Sequence, residues 1–283
     1  MKNDPVTARM REELAALHTS LSHVSARVRL LRSRTEQLSA VRAGEQHADA
    51  QIAALESVLD DERVSGHVRA SVEHSELRSD PVPHLVIADL LPRDVYRAVV
   101  EAIPPPVLFD GRAAKGQLGV PPRLAPADAI VTWMFFSHVV ARIAGPLVAR
   151  FAESLQAYAR ERFPSAPPLS EWDGEITLTA GRIVRRTPGD AGSPPHQRPW
   201  EFLIGVLDLA RDQDGEEYGS RLDGAVIPFR ANTALVCVGP AGRRAYAPIP
   251  RDAPANVERY TYEFCIGPTR NTRHRIDTRE RAV

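Results

Sequence analysis

The distribution of proline divides the sequence into two parts that cannot have the same kind of fold. The chain contains 24 prolines in 283 residues, yet none of them lies between Pro5 and Pro81. A proline inside an α-helix removes a backbone hydrogen bond and clashes with the preceding turn. A long helix is therefore expected only in the first part, and the remainder must be built from shorter elements joined by irregular connections.

A regular series of apolar residues runs through the proline-free part. Its members alternate in steps of three and four residues, which is the spacing of the a and d positions of a coiled coil. They are Leu14, Leu17, Leu21, Val24, Val28 and Leu31. After an offset, which alters the supercoil locally, a second series follows at Val41, Ala48, Ile52, Leu55 and Leu59.

These two series predict a coiled-coil helix over residues 6–64, within an N-terminal segment that comprises residues 1–65. Such a helix presents an apolar stripe, so we expect it to bind a second copy of the chain, giving a homo-oligomer, or a partner protein. The alternative is a helix that folds back onto its own domain. Residues 66–82 are polar and end in "SDPVP", which is typical of a linker.

Charge and hydropathy limit the partners that the chain can have. The 36 basic and 36 acidic residues give a net charge of zero, so no overall field attracts nucleic acid or an anionic membrane. Residues 129–149 are apolar enough for a membrane span, but His138, Arg142 and Pro146 interrupt them, and we predict a buried helix. The first residues are charged and lack the apolar core of a signal peptide. We therefore expect a cytoplasmic protein that binds neither nucleic acid nor membrane.

Residues 83–268 have the pattern of a mixed α+β domain. "HLVIADLL" is typical of a short strand and "PRDVYRAVVEAI" of the helix that follows it. Further strands are predicted in "EITLTAGRIVRR", "PWEFLIGVLDLA", "AVIPF", "TALVCVG" and "ERYTYEFCIG". Short strands separated by proline-containing turns predict an antiparallel barrel or double-sheet jelly roll with helices packed on its outside. Residues 269–283 are predicted to form a basic polar tail.

Several of these stretches resemble the Fe(II)- and 2-oxoglutarate-dependent dioxygenase superfamily, near its prolyl-hydroxylase-like branch. "PHLVIADLLPRDVYRAVVEAIP" resembles the first strand and helix of such domains, and "RRTPGDAGSPPHQRPWEFLIGVLDLA" the strand and loop with the first two metal ligands. "PFRANTALVCVGPAG" resembles the strand that leads to the distal ligand. "ERYTYEFCIGP" resembles the closing strand that carries the arginine for 2-oxoglutarate. The resemblance implies a double-stranded β-helix, a cupin-like jelly roll, with flanking helices.

The resemblance also implies an iron site, but the motif that would hold the metal is degenerate. Enzymes of this superfamily bind Fe(II) with two histidines and one carboxylate, and the first two ligands form a His-x-Asp pair. In this chain His196 lies in the corresponding loop, whereas Arg198 stands at the carboxylate position. If the register is counted without a gap, the pair falls on Pro195 and Gln197, which supply no carboxylate either. An arginine also adds positive charge where a dication would bind.

The distal histidine is missing as well. The resemblance places it in "GPAGRRAYAPIPRDAP", which contains Arg243, Arg244 and Tyr246 but no histidine. His196 would then be the single ligand of an incomplete metal site.

Arg259 is the family feature that the sequence keeps. In the family this arginine contacts the distal carboxylate of 2-oxoglutarate through two hydrogen bonds. Residues alternate along "RYTYEF" as in a strand, so that Arg259 shares a face with Glu263. The resemblance therefore implies a site for a small carboxylate or another anion at Arg259, with Arg198 and Arg244 as further cationic ligands. The alternative is a structural ion pair between Arg259 and Glu258, Glu263 or another acid.

Three functional hypotheses remain from the sequence. The first is a catalytically inactive, dioxygenase-like binding or scaffold protein that has no cofactor and oligomerises through its N-terminal helix. The second is an active oxygenase that uses Fe(II) and 2-oxoglutarate with non-standard metal ligands. The third is an enzyme without iron, in which Arg198, Arg243 and Arg244 clamp an anion. The degenerate motif favours the first hypothesis.

Overall fold

The computed structural model describes residues 5–45, 48–56, 58–112, 114–164, 166–172, 175–192, 200–210, 216–239 and 244–280. The helices are α1 (Pro5–Glu45), α2 (Ala48–Glu56), α3 (Asp61–His74), α4 (Arg93–Glu101), α5 (Ala127–Arg142), α6 (Ala144–Arg150), α7 (Ala152–Arg162) and α8 (Arg270–Glu280). The strands are β1 (Leu77–Arg78), β2 (His84–Ile87), β3 (Asp110–Arg112), β4 (Lys115–Gly119), β5 (Ile176–Arg186), β6 (Leu203–Asp208), β7 (Ser220–Leu222), β8 (Ala225–Ile227), β9 (Ala234–Val238), β10 (Arg244–Tyr246) and β11 (Arg259–Pro268).

The strands form two antiparallel sheets. The large sheet has eight strands in the order β1-β2-β9-β6-β11-β5-β4-β3, and the small sheet has three in the order β10-β7-β8. The small sheet lies against one face of the large one, where Leu222 packs on Leu235 and Cys237. The protein is thus a mixed fold of helices and antiparallel sheets, and each strand predicted from the sequence is present.

The other face of the large sheet carries the helices and the main hydrophobic core. Tyr262 of β11 stacks on Trp133 of α5 with ring centroids 5.8 Å apart, and it meets Phe136 edge to face at 4.8 Å. Phe264 follows Tyr262 on the same face because strand side chains alternate. The aromatic residues of one strand therefore fasten the helical layer to the centre of the sheet.

The long apolar stretch predicted as a buried helix is present as α5 and α6. Over Ala127–Arg150 it is long and apolar enough to cross a membrane by length and composition. Its apolar character has a structural explanation here, since Trp133, Phe136 and Val140 are no more than 1% exposed and belong to the core beneath the sheet.

The predicted linker and the predicted C-terminal tail both differ from the structure. The linker predicted over residues 66–82 is wrong for its first half, because α3 runs to His74 and buries Val68 and Val72 completely or nearly so. The polar tail predicted over residues 269–283 contains α8, whose Ile276 is 3% exposed. In α3, apolar residues at helical spacing decide the packing although the composition is polar, and in α8 the single apolar residue Ile276 is buried.

The helix predicted over residues 6–64 is divided. α1 ends at Glu45, and α3 begins after Asp60, whose carboxylate caps the helix by accepting a hydrogen bond of 2.8 Å from the backbone N–H of Arg63. The second apolar series does fold back, since Val41 and Leu59 pack against the main core. The first series, by contrast, is exposed along α1.

A buried glycine tests how tightly the sheet packs on its aromatic residues. A methyl group at Gly205 of β6 would overlap the ring of Phe264, whereas a methyl group at Gly145 of α6 meets nothing within 4 Å. We expect Gly205→Ala to lower the free energy of unfolding by roughly 1–3 kcal/mol through overpacking. Gly145→Ala should leave it unchanged or raise it by about 0.5–1 kcal/mol, because alanine is the better helix former. Chemical denaturation of both variants measures the difference, and equal stabilities would contradict it.

Candidate functional site

The space between the two sheets is lined by charged side chains. In antiparallel strands, paired residues have their side chains on the same face. Arg259 of β11 pairs with Arg186 of β5, which pairs in turn with Lys115 of β4. Four residues along the strands, and on the same face, Glu263 pairs with Arg182. The inner face of the large sheet therefore carries a row of three cations and, farther along, an ion pair.

Arg186 is the most deeply buried of these cations, with no solvent exposure. Its guanidinium carbon lies 3.9 Å from the centre of the Tyr246 ring, a cation–π contact. Nη1 donates a hydrogen bond of 3.2 Å to the carbonyl of Ala247 and lies 3.7 Å from a carboxylate oxygen of Asp190. Within the described part of the chain, Nε and Nη2 have no hydrogen-bond partner. Because a buried donor is costly to leave unbonded, these two atoms mark a place for an acceptor.

Arg259 is held in a similar way. Its side chain is 2% exposed, and its guanidinium carbon lies 4.0 Å from the centre of the Phe229 ring. Of the acids considered from the sequence as ion-pair partners, Glu258 binds Arg185 and Glu263 binds Arg182. Each of the two buried guanidinium groups thus lies on an aromatic ring, and the two arginines are neighbours in the sheet.

Glu263 is the centre of a hydrogen-bonded network. Its carboxylate accepts hydrogen bonds from the hydroxyl of Tyr246 and from Nε and Nη2 of Arg182, with Nε at 2.7 Å. Tyr246 lies on β10, so the network joins the small sheet to the large one. The same ring covers Arg186, and the tyrosine therefore couples the ion pair to the row of cations.

Burial lowers the pKa of two of these cations, because it deprives their charged forms of water. Loss of solvent lowers the pKa of the Lys115 ammonium, although the charges of Glu263 and Asp190 act in the opposite direction. Burial also lowers the pKa of the Arg186 guanidinium, against the attraction of Tyr246 and Asp190. In both cases the charged form is less solvated than in water. A bound anion would stabilise it.

The metal ligand predicted from the sequence, His196, lies outside the described residues, as does Arg198. Arg244 lies on β10, but its side chain is outside the description. Among the described residues, no three His, Cys, Asp or Glu side chains form a group that could hold a metal ion. Of the described carboxylates in the interior, Glu263 binds Arg182 and Tyr246, Asp190 faces Arg186, and Asp208 accepts a hydrogen bond of 3.1 Å from the backbone N–H of Arg230.

This donor set does not fit the iron site that the resemblance implies. A dication needs ligands that are anionic or neutral, whereas the described interior offers guanidinium groups, the carboxylates of Glu263 and Asp190, which face cations, and that of Asp208, which accepts a backbone hydrogen bond. The described residues fit an anion better than a metal.

Arg186 and Asp190 were not singled out from the sequence. The signal was nevertheless present, because "GRIVRR" alternates like "RYTYEF" and places Arg182 and Arg186 on one face of a strand. The pairing of that face with Arg259 could not be read locally, since it depends on the register between two strands more than 70 residues apart.

No protein-family model and no curated protein matches the sequence. Solved structures do match it. One is a prolyl 4-hydroxylase from Phytophthora capsici, with 10% identity and a TM-score of 0.48, over 75% of this chain and 67% of that chain. Another is a prolyl-4-hydroxylase from Pseudomonas putida, with 14% identity and a TM-score of 0.41, over 71% and 99%.

A third match is HygX from Streptomyces hygroscopicus, solved with nickel, 2-oxoglutarate and hygromycin B bound. It has 13% identity and a TM-score of 0.36, over 66% of this chain and 83% of that chain. All three matches have identities of 14% or lower and TM-scores below 0.5, so the resemblance to the dioxygenase superfamily stays a prediction from the sequence. The chemistry of the site follows from the residues of this chain.

The ion pair inside the site can be tested against the pair of Arg185 on β5 with Glu258, which directly precedes β11. Arg182→Met leaves the buried Glu263 without its cation, and we expect the free energy of unfolding to fall by roughly 2–3 kcal/mol, somewhat less than for a fully buried pair. Arg185→Met removes the more exposed pair with Glu258 and should cost less than about 1 kcal/mol. Urea denaturation of both variants gives the comparison, and a smaller loss for Arg182→Met would show that the network is not structural.

Proposed function

We propose that this protein binds a small anion, a carboxylate in the first instance, between the two sheets of a double-stranded β-helix, and that it does so without iron chemistry. The observation that carries this proposal is the pair of buried arginines, Arg186 and Arg259. They are cross-strand neighbours, and Nε and Nη2 of Arg186 have no acceptor in the described part of the chain.

The electrostatics of the interior support an anionic ligand. Neighbouring like charges in a sheet repel one another, and the row Lys115, Arg186 and Arg259 places three of them side by side. Asp190 offsets part of this charge from 3.7 Å. A carboxylate matches the fork geometry of a guanidinium and forms two charge-assisted hydrogen bonds with it.

The aromatic contacts support a site prepared before the ligand arrives. Tyr246 and Phe229 cover one side of each guanidinium. A cation that is already held in place loses little side-chain entropy when the ligand binds. The contact with the Tyr246 ring holds the guanidinium of Arg186 in place. Its remaining hydrogen-bond donors then provide the directional contact with the ligand.

The absence of iron chemistry is part of the proposal and is supported by charge. The described carboxylates Glu263 and Asp190 already face cations, and Arg198 follows the one histidine of the degenerate motif at the position of the family carboxylate. A dication in this space would meet the field of Arg186 and Arg259. No chemical step of this protein is therefore assigned to a metal.

Titration calorimetry of the full chain with 2-oxoglutarate, succinate and phosphate tests the binding site. We expect at least one of the carboxylates to bind, and Arg259→Met and Arg186→Met each to weaken it by about tenfold or more, which is roughly 1.4 kcal/mol. Arg221→Met is the matched control, because Arg221 is an exposed arginine on the outside of the small sheet. It should bind as the wild type does.

Circular dichroism of each variant separates loss of binding from loss of folding. If none of the three anions binds, or if only phosphate binds, the carboxylate proposal is wrong. The same holds if both arginine variants bind carboxylates as tightly as Arg221→Met.

A second experiment tests the absence of iron chemistry. After anaerobic loading with Fe(II), we expect less than stoichiometric iron and no succinate release from 2-oxoglutarate, because a single imidazole at His196 is a weak ligand. Arg198→Asp should remain inactive, since the segment expected to hold the distal histidine lacks one. Stoichiometric iron together with succinate formation that His196→Ala abolishes would instead establish an active oxygenase.

A further inference from the structure

Most of α1 has an apolar stripe that its own domain does not cover. α1 has 41 residues, and its described side chains from position 12 to 36 are all exposed. At 1.5 Å per residue this part is roughly 37 Å long. Apolar side chains that are 41–66% exposed lie along it at heptad spacing; they are Leu14, Leu17, Leu21, Val24, Val28, Leu31 and Leu38. We call these seven residues the α1 seam.

The C-terminal end of α1 is fastened to the domain. Gln37 donates a side-chain hydrogen bond of 3.3 Å to the carbonyl of Val107, and the carboxylate of Glu45 accepts one of 3.1 Å from the backbone of Ala127. Val41 packs on the main core. The helix is therefore an arm with a fixed base, and a single exposed helix with a continuous apolar stripe is stabilised chiefly by packing against another surface.

We propose that the occupant of the α1 seam is the same seam of a second copy, in antiparallel orientation. In one register, the a positions of one helix face the d positions of the other, and every layer of side chains in the middle of the pair is then apolar. Leu14 meets Leu31 of the second copy, Leu17 meets its Val28, and Leu21 meets its Val24. Each contact occurs twice, because the arrangement has a twofold axis between positions 22 and 23.

A groove at the base of the arm supports the antiparallel orientation. It has a volume of about 750 Å³ and lies between the seam at Val28 and Leu31 and the domain at Val107. In the proposed register, this groove is level with residues 6–17 of the second copy, which form the free start of its helix. In a parallel pair, by contrast, the groove would be level with the base of the second arm. It would then have to accommodate the domain attached to that base.

Charge disfavours the parallel alternative. In the antiparallel pair, the positions beside the seam bring Glu13 next to Arg34 of the second copy, twice in the pair. On the other side of the seam Arg32 is level with Arg11 of the second copy. The repulsion on that side therefore offsets the attraction between Glu13 and Arg34. A parallel pair would place Arg27 beside Arg32 of the second copy twice.

The mass of the full chain in solution tests the association. Light scattering should give twice the 31.2 kDa of one chain. Leu21→Asp, next to the twofold axis, should weaken the dimer by about 100-fold or more, since it removes two buried leucines and buries two charges. Leu30→Asp is the matched control, because Leu30 is an equally exposed leucine, 70% accessible, that lies off the seam. It should remain dimeric.

Cysteine cross-linking tests the orientation. A mixture of Leu14→Cys and Leu31→Cys chains should form a disulfide between the two variants, whereas each variant alone should not link to itself. The unmodified chain, with its own Cys237 and Cys265, gives the background. A monomeric wild type, a dimer that survives Leu21→Asp, a dimer lost in Leu30→Asp, or self-linking of Leu14→Cys would each overturn the proposal.

Discussion

The pairing of β5 with β11 is the constraint on which the rest of the structure depends. The two strands are joined over ten positions, from Arg259 opposite Arg186 to Pro268 opposite Ile176. One face of β11 is aromatic and packs on the helices, and the other carries charges toward the small sheet. A shift of one residue would exchange the two faces and bury charges in the hydrophobic core. The fold and the candidate site therefore share a single register.

Glycines on the strands beside β11 make this register specific. Gly181 and Gly205 both lie opposite Phe264, one on each side, and a methyl group at Gly205 would overlap its ring. A methyl group at Gly181 would likewise overlap the hydroxyl of Tyr262. The rings fill the space that the missing side chains leave, so that α5 can approach the sheet through Trp133.

Charges inside the protein are a poor means of gaining stability, because desolvation offsets most of their attraction. This protein nevertheless buries Arg186, Arg259 and Glu263 between its sheets. Glu263 is satisfied by Arg182 and Tyr246, whereas Arg186 keeps two donors without an acceptor in the described residues. Glu263 therefore belongs to a structural network, whereas Arg186 belongs to the proposed binding surface in the same few strands. Burial also explains why ring contacts accompany both arginines, since a ring partly replaces the lost water.

The sequence by itself determined the elements and the direction of their side chains. The proline-free segment predicted a long helix and the alternation in "ERYTYEF" predicted which residues of β11 share a face, because both patterns depend on local periodicity. Only the tertiary structure decided that Arg186 lies beside Arg259, and that Val68 and Val72 turn a polar segment into a core helix. It also revealed the short strands β3, β4, β7 and β10, whose few residues carry no periodic signal. Strand pairing and helix docking join residues far apart in the chain, and no local pattern encodes which distant surface a side chain meets.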